Sequence, residues 1–154
     1  MKIRYRKGDL FATDIKTIVH GCNAQGVMGS GVAKIVKERY PEAFEMYKYA
    51  ASMHTPKELM GKNIIWFGDK TIVNSVTQET YGRAPKRYVD YDAVRLCMNR
   101  IQTFFGDPDS VHHITEIAMP QIGAGLGGGD WNVIGSIIES ELKTIRPVVY
   151  VLDN

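Results

Sequence analysis

At 154 residues the chain has room for one domain with a full core and too little for two ordinary ones. Hydrophobic and charged fractions of 44% and 23% are those of a soluble globular protein, and a formal charge of +2 singles out no partner, membrane or nucleic acid. Cys22 and Cys97 form neither a metal-ligand pattern nor a disulfide framework, so reduced thiols in a cytoplasmic setting are expected. No signal peptide opens the chain, and no apolar run approaches membrane-spanning length.

In chain order, Lys2 to Arg6 and Thr17 to Cys22 read as strands, the second carrying the β-branched Ile18 and Val19. A glycine-rich turn, Gly21 to Ala33, leads into a helix from Val32 to Tyr40. Pro41, at a first helical position, restarts a helix through Phe44, Tyr47 and Ala51. Ile64 to Phe67 and Thr71 to Thr77 are expected to form a hairpin across Gly68 and Asp69, which requires an antiparallel pair. Tyr81 and Arg83 follow in a polar stretch, either a loop that closes over a ligand or a solvated one. Tyr91, Val94, Met98, Ile101 and Phe105 recur at spacings of three and four, the apolar stripe of a helix. His112 and His113 fall in an expected solvated loop, and a strand carrying Ile114 and Ile117 runs to Met119. A second glycine-rich turn opens a helix bearing Ile134, Ile137, Ile138, Leu142 and Ile145, with Trp131 packing its start. Val148 to Leu152 forms the last strand. Alternating strands and helices predict a single α/β domain over residues 1–154, a three-layer α/β/α sandwich around a mixed, mostly parallel sheet.

The two glycine-rich turns carry the chemistry. Glycines 123, 125, 127, 128 and 129 remove the Cβ atoms that would hold an anion away from the backbone. The helix that follows is expected to aim unpaired N–H groups and positive dipole at that anion, with Gly125 in a left-handed conformation. Two such turns suit a ligand with two phosphates. Gly123 to Gly128 matches a GxGxxG dinucleotide fingerprint, but only one helix and one strand remain after it, too few for that fold. Gly26 to Gly31 supplies the glycines of a P-loop, yet Val32 and Ala33 stand where its lysine and hydroxyl residue belong, which argues against an ATPase or GTPase.

Four features in order resemble the macro domain, the ADP-ribose-binding fold, over essentially the whole chain. Gly8-Asp9-Leu10-Phe11 resembles the family's GD[IL] signature, which implies that Asp9 accepts a hydrogen bond from the adenine amino group beside Leu10. His20-Gly21-Cys22-Asn23 resembles the strand end whose asparagine binds the distal ribose, a task that falls to Asn23. Gly26, Gly29, Gly31 and Val32 match the first phosphate loop. Gln121, Gly123, Ala124, Gly125, Leu126 and Gly127 match the second. His20, the Met119-Pro120-Gln121-Ile122 entry and Trp131 resemble the branch that holds the yeast-type ADP-ribose 1''-phosphate phosphatase and the de-ADP-ribosylating enzymes. Those enzymes carry a lysine after the fourth strand and an aspartate in the second loop, where this chain has Gln78 and Gly127.

The resemblance implies ADP-ribose or a derivative as partner, no cofactor, and hydrolysis of the 1''-phosphate. A non-catalytic reader, an O-acetyl-ADP-ribose deacetylase and a de-ADP-ribosylating hydrolase are the alternatives. His20 is the one neutral-pH base near the expected site, and its other reading is a hydrogen-bonded core residue. Asp9 equally suits a turn, and Asn23 equally suits tying up loop amides. No residue spacing suggests a metal site.

Overall fold

In the computed structural model, which describes residues 1–152, six strands form one sheet in the order β1-β6-β5-β2-β4-β3. The strands are β1 (Arg4–Lys7), β2 (Thr17–Asn23), β3 (Asn63–Phe67), β4 (Thr71–Gln78), β5 (Glu116–Met119) and β6 (Arg146–Val151). Every neighbouring pair is parallel except β3 with β4, the expected hairpin, in which Phe67 faces Thr71. The fold is therefore the mixed α/β sheet that the alternation of elements predicts.

Strand parity sorts the core into two layers. On β2, Ile18 and Cys22 face one side, where they pack with Val36 of α1 (Gly31–Arg39) and with Ala43, Phe44 and Tyr47 of α2 (Pro41–Met53). Val19 faces the other side, among Val94, Met98 and Ile101 of α4 (Tyr91–Phe105) and Ile134 and Ile138 of α5 (Trp131–Glu141). Because β2 and β4 are covered on both faces, nearly every residue along them is buried. The last two residues of the expected 1–154 domain lie outside the described residues.

Local departures from the expected elements have identifiable causes. The helix expected to reach Ile145 stops at Glu141, because the Gln102 side chain from α4 accepts from the amides of Lys143 (2.8 Å) and Thr144 (3.1 Å). That acceptor, which draws the chain past Leu142 off the helix path, comes from across the fold, and no local rule reveals it. A short helix, α3 (Pro56–Leu59), was not anticipated, although Thr55 and Glu58 form a reciprocal capping box and Pro56 sits in its first turn. The first strand is shifted to Arg4–Lys7, and the last begins at Arg146, ahead of Pro147. His112 is not solvated as expected: its ring stacks on Phe67 and Phe104 with centroids 4.8 and 5.2 Å away. Trp131 is half-buried against the α4–α5 core, and its indole N–H donates to the Tyr5 hydroxyl at 2.9 Å.

Candidate functional site

The carboxyl ends of β2, β4 and β5 lie side by side, and the loops that leave them enclose a cleft of about 600 Å³. Open parallel sheets bind ligands at this edge, since the loops there are free to carry chemistry while the strands fix their origins. Three segments wall the cleft: residues 21–33, residues 77–83 and residues 120–127.

Asn23 organises the first wall. Its side-chain carbonyl accepts from Gln25 N (2.9 Å) and Val27 N (3.4 Å), and its amide donates to Val27 O (2.8 Å). Beneath it the buried Tyr47 hydroxyl donates to Asn23 O (2.6 Å) and to its side-chain oxygen (2.9 Å). Burial raises the Tyr47 pKa, so the phenol stays a donor. An asparagine amide carries two N–H groups, and one is spent on Val27; the other is available to a ligand. The side chain thus ties up the loop and still lines the cleft.

The helix that offers its start to an anion is α1. Its N-cap, Ser30, makes no side-chain capping bond, so among the described residues the first-turn amides of Gly31, Val32 and Ala33, all cleft-lining residues, have no competing protein oxygen. The helix after the second loop behaves otherwise, contrary to expectation. Asp130 caps α5 by accepting from Asn132 N at 2.9 Å, which places a carboxylate where an anion was expected.

The second loop contributes backbone. Its internal bonds use the amides of Ala124, Gly128 and Gly129, the last donating to Gly123 O at 2.7 Å. Among the described residues this leaves the amides of Gly125, Leu126 and Gly127, three residues that line the cleft, without a protein acceptor. The left-handed residues are Gly123 (φ 76°) and Gly128 (φ 70°), not Gly125 as anticipated. A Cβ at Gly125 would meet nothing within 4 Å, whereas one at Gly127 would come within 2.7 Å of Gly123 O.

Most of the expected ligand residues converge on this cleft: Asn23, Gly29, Gly31 and Val32 from one side, Gln121, Gly123, Gly125, Leu126 and Gly127 from the other. Gly26 and Ala124 shape the loops without lining it. Leu10 is buried in the α1–α2 core. Asp9 is exposed beyond the cleft walls, where its carboxylate accepts from Phe11 N at 2.9 Å and caps a 3-10 turn, Leu10–Ala12.

His20 is the principal correction. Its side chain has no exposure, is not among the cleft walls, and sits in the layer between the sheet and α2. There its Nε2 pairs with Asn74 Oδ1 at 2.6 Å, while Asn74 Nδ2 donates to Ala43 O and Ile64 O. Burial pushes the imidazole pKa down to about 4, against the smaller opposing effect of Asn74. A side chain that neither reaches the cleft nor takes up a proton near neutrality cannot serve as its base. Both faces of β2 are buried, so parity only sets the layer, against α2 with Ile18 and Cys22; His20 lies three residues short of the strand's end and does not reach the cleft that Cys22 lines.

Thr77 was not anticipated. It is 1% exposed, lies on the cleft floor, and its hydroxyl has no hydrogen-bond partner among the described residues. A polar residue one position before the end of an apolar strand is the signal that was there to read. Gln78, beside it, donates to Thr80 O at 2.8 Å and is in register with Asn23 across the bulge that ends β2. Among the described residues no three metal-ligating side chains come together.

The macro domain family model matches residues 19–138, which span both glycine loops and the strands they leave. The chain belongs to the macro domain family. It is 31% identical over 156 residues to a DNA ADP-ribosyl glycohydrolase of Mycobacterium tuberculosis, covering 96% of this chain but 42% of that protein. The solved macrodomain of Mycobacterium tuberculosis DarG superposes with a TM-score of 0.77 at 30% identity, covering 96% of each chain. An ADP-ribose 1''-phosphate phosphatase of Lodderomyces elongisporus is 22% identical over 165 residues, covering 99% of this macro domain and 100% of the relative.

Proposed function

We propose that the cleft binds ADP-ribose and that the domain removes the 1''-phosphate from ADP-ribose 1''-phosphate without a metal ion. The observation that carries this is the combination of a two-sided amide cradle with Gln78 and Gly127 at its base. The α1 start and the free amides of Gly125, Leu126 and Gly127 suit a pyrophosphate. With the pyrophosphate on the α1 start, the Gly125–Gly127 amides remain for charge that develops on a phosphoryl oxygen during transfer, because preorganised donors in a cleft need no rearrangement to meet it. Asn23, with its spare N–H, orients the distal ribose. The positions that hold a lysine and an aspartate in the de-ADP-ribosylating enzymes carry neither charge here, which disfavours glycosidic cleavage. At Gly127 an aspartate has no room unless the loop opens.

One observation favours a second reading, a non-catalytic ADP-ribose reader: among the described residues no imidazole and no carboxylate lines the cleft. The deciding experiment incubates the purified protein with ADP-ribose 1''-phosphate, O-acetyl-ADP-ribose, and mono-ADP-ribosylated protein and DNA. Phosphate release from the first substrate, with little ADP-ribose freed from the conjugates, is expected. Tight ADP-ribose binding with no turnover in any lane would establish the reader instead. Robust release from the conjugates without phosphatase activity would overturn both.

A further inference from the structure

A second groove, of about 650 Å³, opens from the cleft and shares Gly82, Arg83, Gly125 and Leu126 with it. Among the described residues its charged lining is Arg83, Lys86 and Arg87, and no carboxylate joins them. The segment that carries these cations is anchored on the outer side of the second glycine loop. Tyr88 N and Val89 N both donate to Gly127 O, at 2.7 and 3.0 Å, and the Tyr88 hydroxyl accepts from Ala84 N at 3.1 Å. The two backbones approach so closely that a Cβ at Gly128 would fall 2.5 Å from Lys86 O. Aromatic faces hold two of the cations in place: Lys86 lies 4.8 Å from the Tyr88 ring centroid and Arg87 4.1 Å from that of Tyr91. Among the described residues, the ion pairs that form involve none of the three. Cations without counter-charges in a concave wall raise the local potential for anions, and an arginine fork matches a phosphate.

We infer that this groove is an anion subsite for a phosphate monoester that the cleft's nucleotide carries on its distal ribose. The inference rests on the reading of the cleft as an ADP-ribose site. The placement follows from the chain: Asn23, assigned to the distal ribose, is in register with Gln78, and Arg83 lies a few residues beyond Gln78 at the mouth of the groove. Arg83 lines both spaces and bridges them, while Lys86 and Arg87 belong to the groove alone. The subsite gives the domain a means of selecting phosphorylated over plain ADP-ribose that the amide cradle does not supply.

The test is calorimetric titration of the protein with ADP-ribose and with its non-hydrolysable 1''-phosphonate analogue, at low and moderate salt. The analogue should bind roughly tenfold tighter or more, the scale of added charge-assisted contacts, and the advantage should shrink as salt rises. Replacing Lys86→Gln and Arg87→Gln together should erase most of that advantage and leave ADP-ribose affinity within about twofold, since neither side chain lines the cleft. Equal affinities for the two ligands in the wild type, or an advantage that survives in the double variant, would overturn the subsite alone. Failure of ADP-ribose itself to bind would overturn the reading of the cleft and the subsite with it. A short single-stranded oligonucleotide that binds the groove more tightly than the analogue would assign it to nucleic acid, against the inference.

Discussion

Acidification should destabilise this domain through His20, and the size of the effect follows from where the ring sits. In the unfolded chain the imidazole takes a proton below its ordinary value of 6.5, whereas in the fold burial holds it neutral down to about 4. Between those values the unfolded state binds more protons, so stability is full above about pH 6.5 and is lost as pH falls toward 4. Each pH unit in that window is worth about 1.4 kcal/mol, which brings the total to about 3 kcal/mol, a large share of a typical domain's stability. Urea unfolding of the wild type and His20→Leu across this range isolates the term, because the other titrating groups cancel in the difference. The variant should be less stable by ~1–3 kcal/mol near neutral pH, since Asn74 Oδ1 loses its donor in a dry site. The difference should then shift by about 3 kcal/mol in the variant's favour on acidification, closing or reversing the gap, as the wild type alone pays for charging the ring. A gap that stays constant across the window would mean that His20 titrates normally, and the core placement would be refuted.

Gly125→Val should abolish ADP-ribose binding and leave the melting temperature of the free protein within a few degrees, because its Cβ meets open space and its backbone is not left-handed; a proportional loss of stability would show that the loop is packed there. Gly127→Ala should destabilise by ~1–3 kcal/mol, as the methyl group is forced against Gly123 O; unchanged chemical denaturation would contradict the closed loop geometry. Tyr47→Phe should cost about 1 kcal/mol and weaken ligand binding together, by freeing the Asn23 backbone and side-chain oxygens; wild-type binding by calorimetry would remove Tyr47 as the support of the first loop.

Sheet and site were legible to different depths. The hairpin around Gly68 and Asp69 and the stripe on α4 were readable because both are local patterns, a turn dipeptide and a spacing of three and four. The end of α5 was not, since the Gln102 cap arrives from another helix. Both glycine loops were visible in composition alone. Their division of labour was not: whether a helix start is open or capped depends on Ser30 lacking a capping bond and Asp130 making one, which is a matter of rotamers. His20 was misplaced because proximity to Asn23 in sequence says nothing about which face of β2 a side chain occupies. Alternation did not contain that answer either, since both faces of β2 are buried and Cys22, on the same face, lines the cleft; what counts is that His20 lies three residues short of the strand's end.

Strand β1 has a single neighbour in the sheet, β6, with Arg4 opposite Val148 and Lys7 opposite Val151. During synthesis β1 therefore waits for β6 before it can pair. The turn that Asp9 caps, which follows directly from β1 and is tied down by Gly8 N donating to Val151 O, waits with it. Both glycine loops can form from residues already made, yet the edge of the sheet beside Asp9 closes only once β6 has been made. Long-range closure of this kind is slow relative to local structure. A nascent chain halted before β6 would carry the phosphate cradle while the segment expected to read adenine, already made, stays undocked.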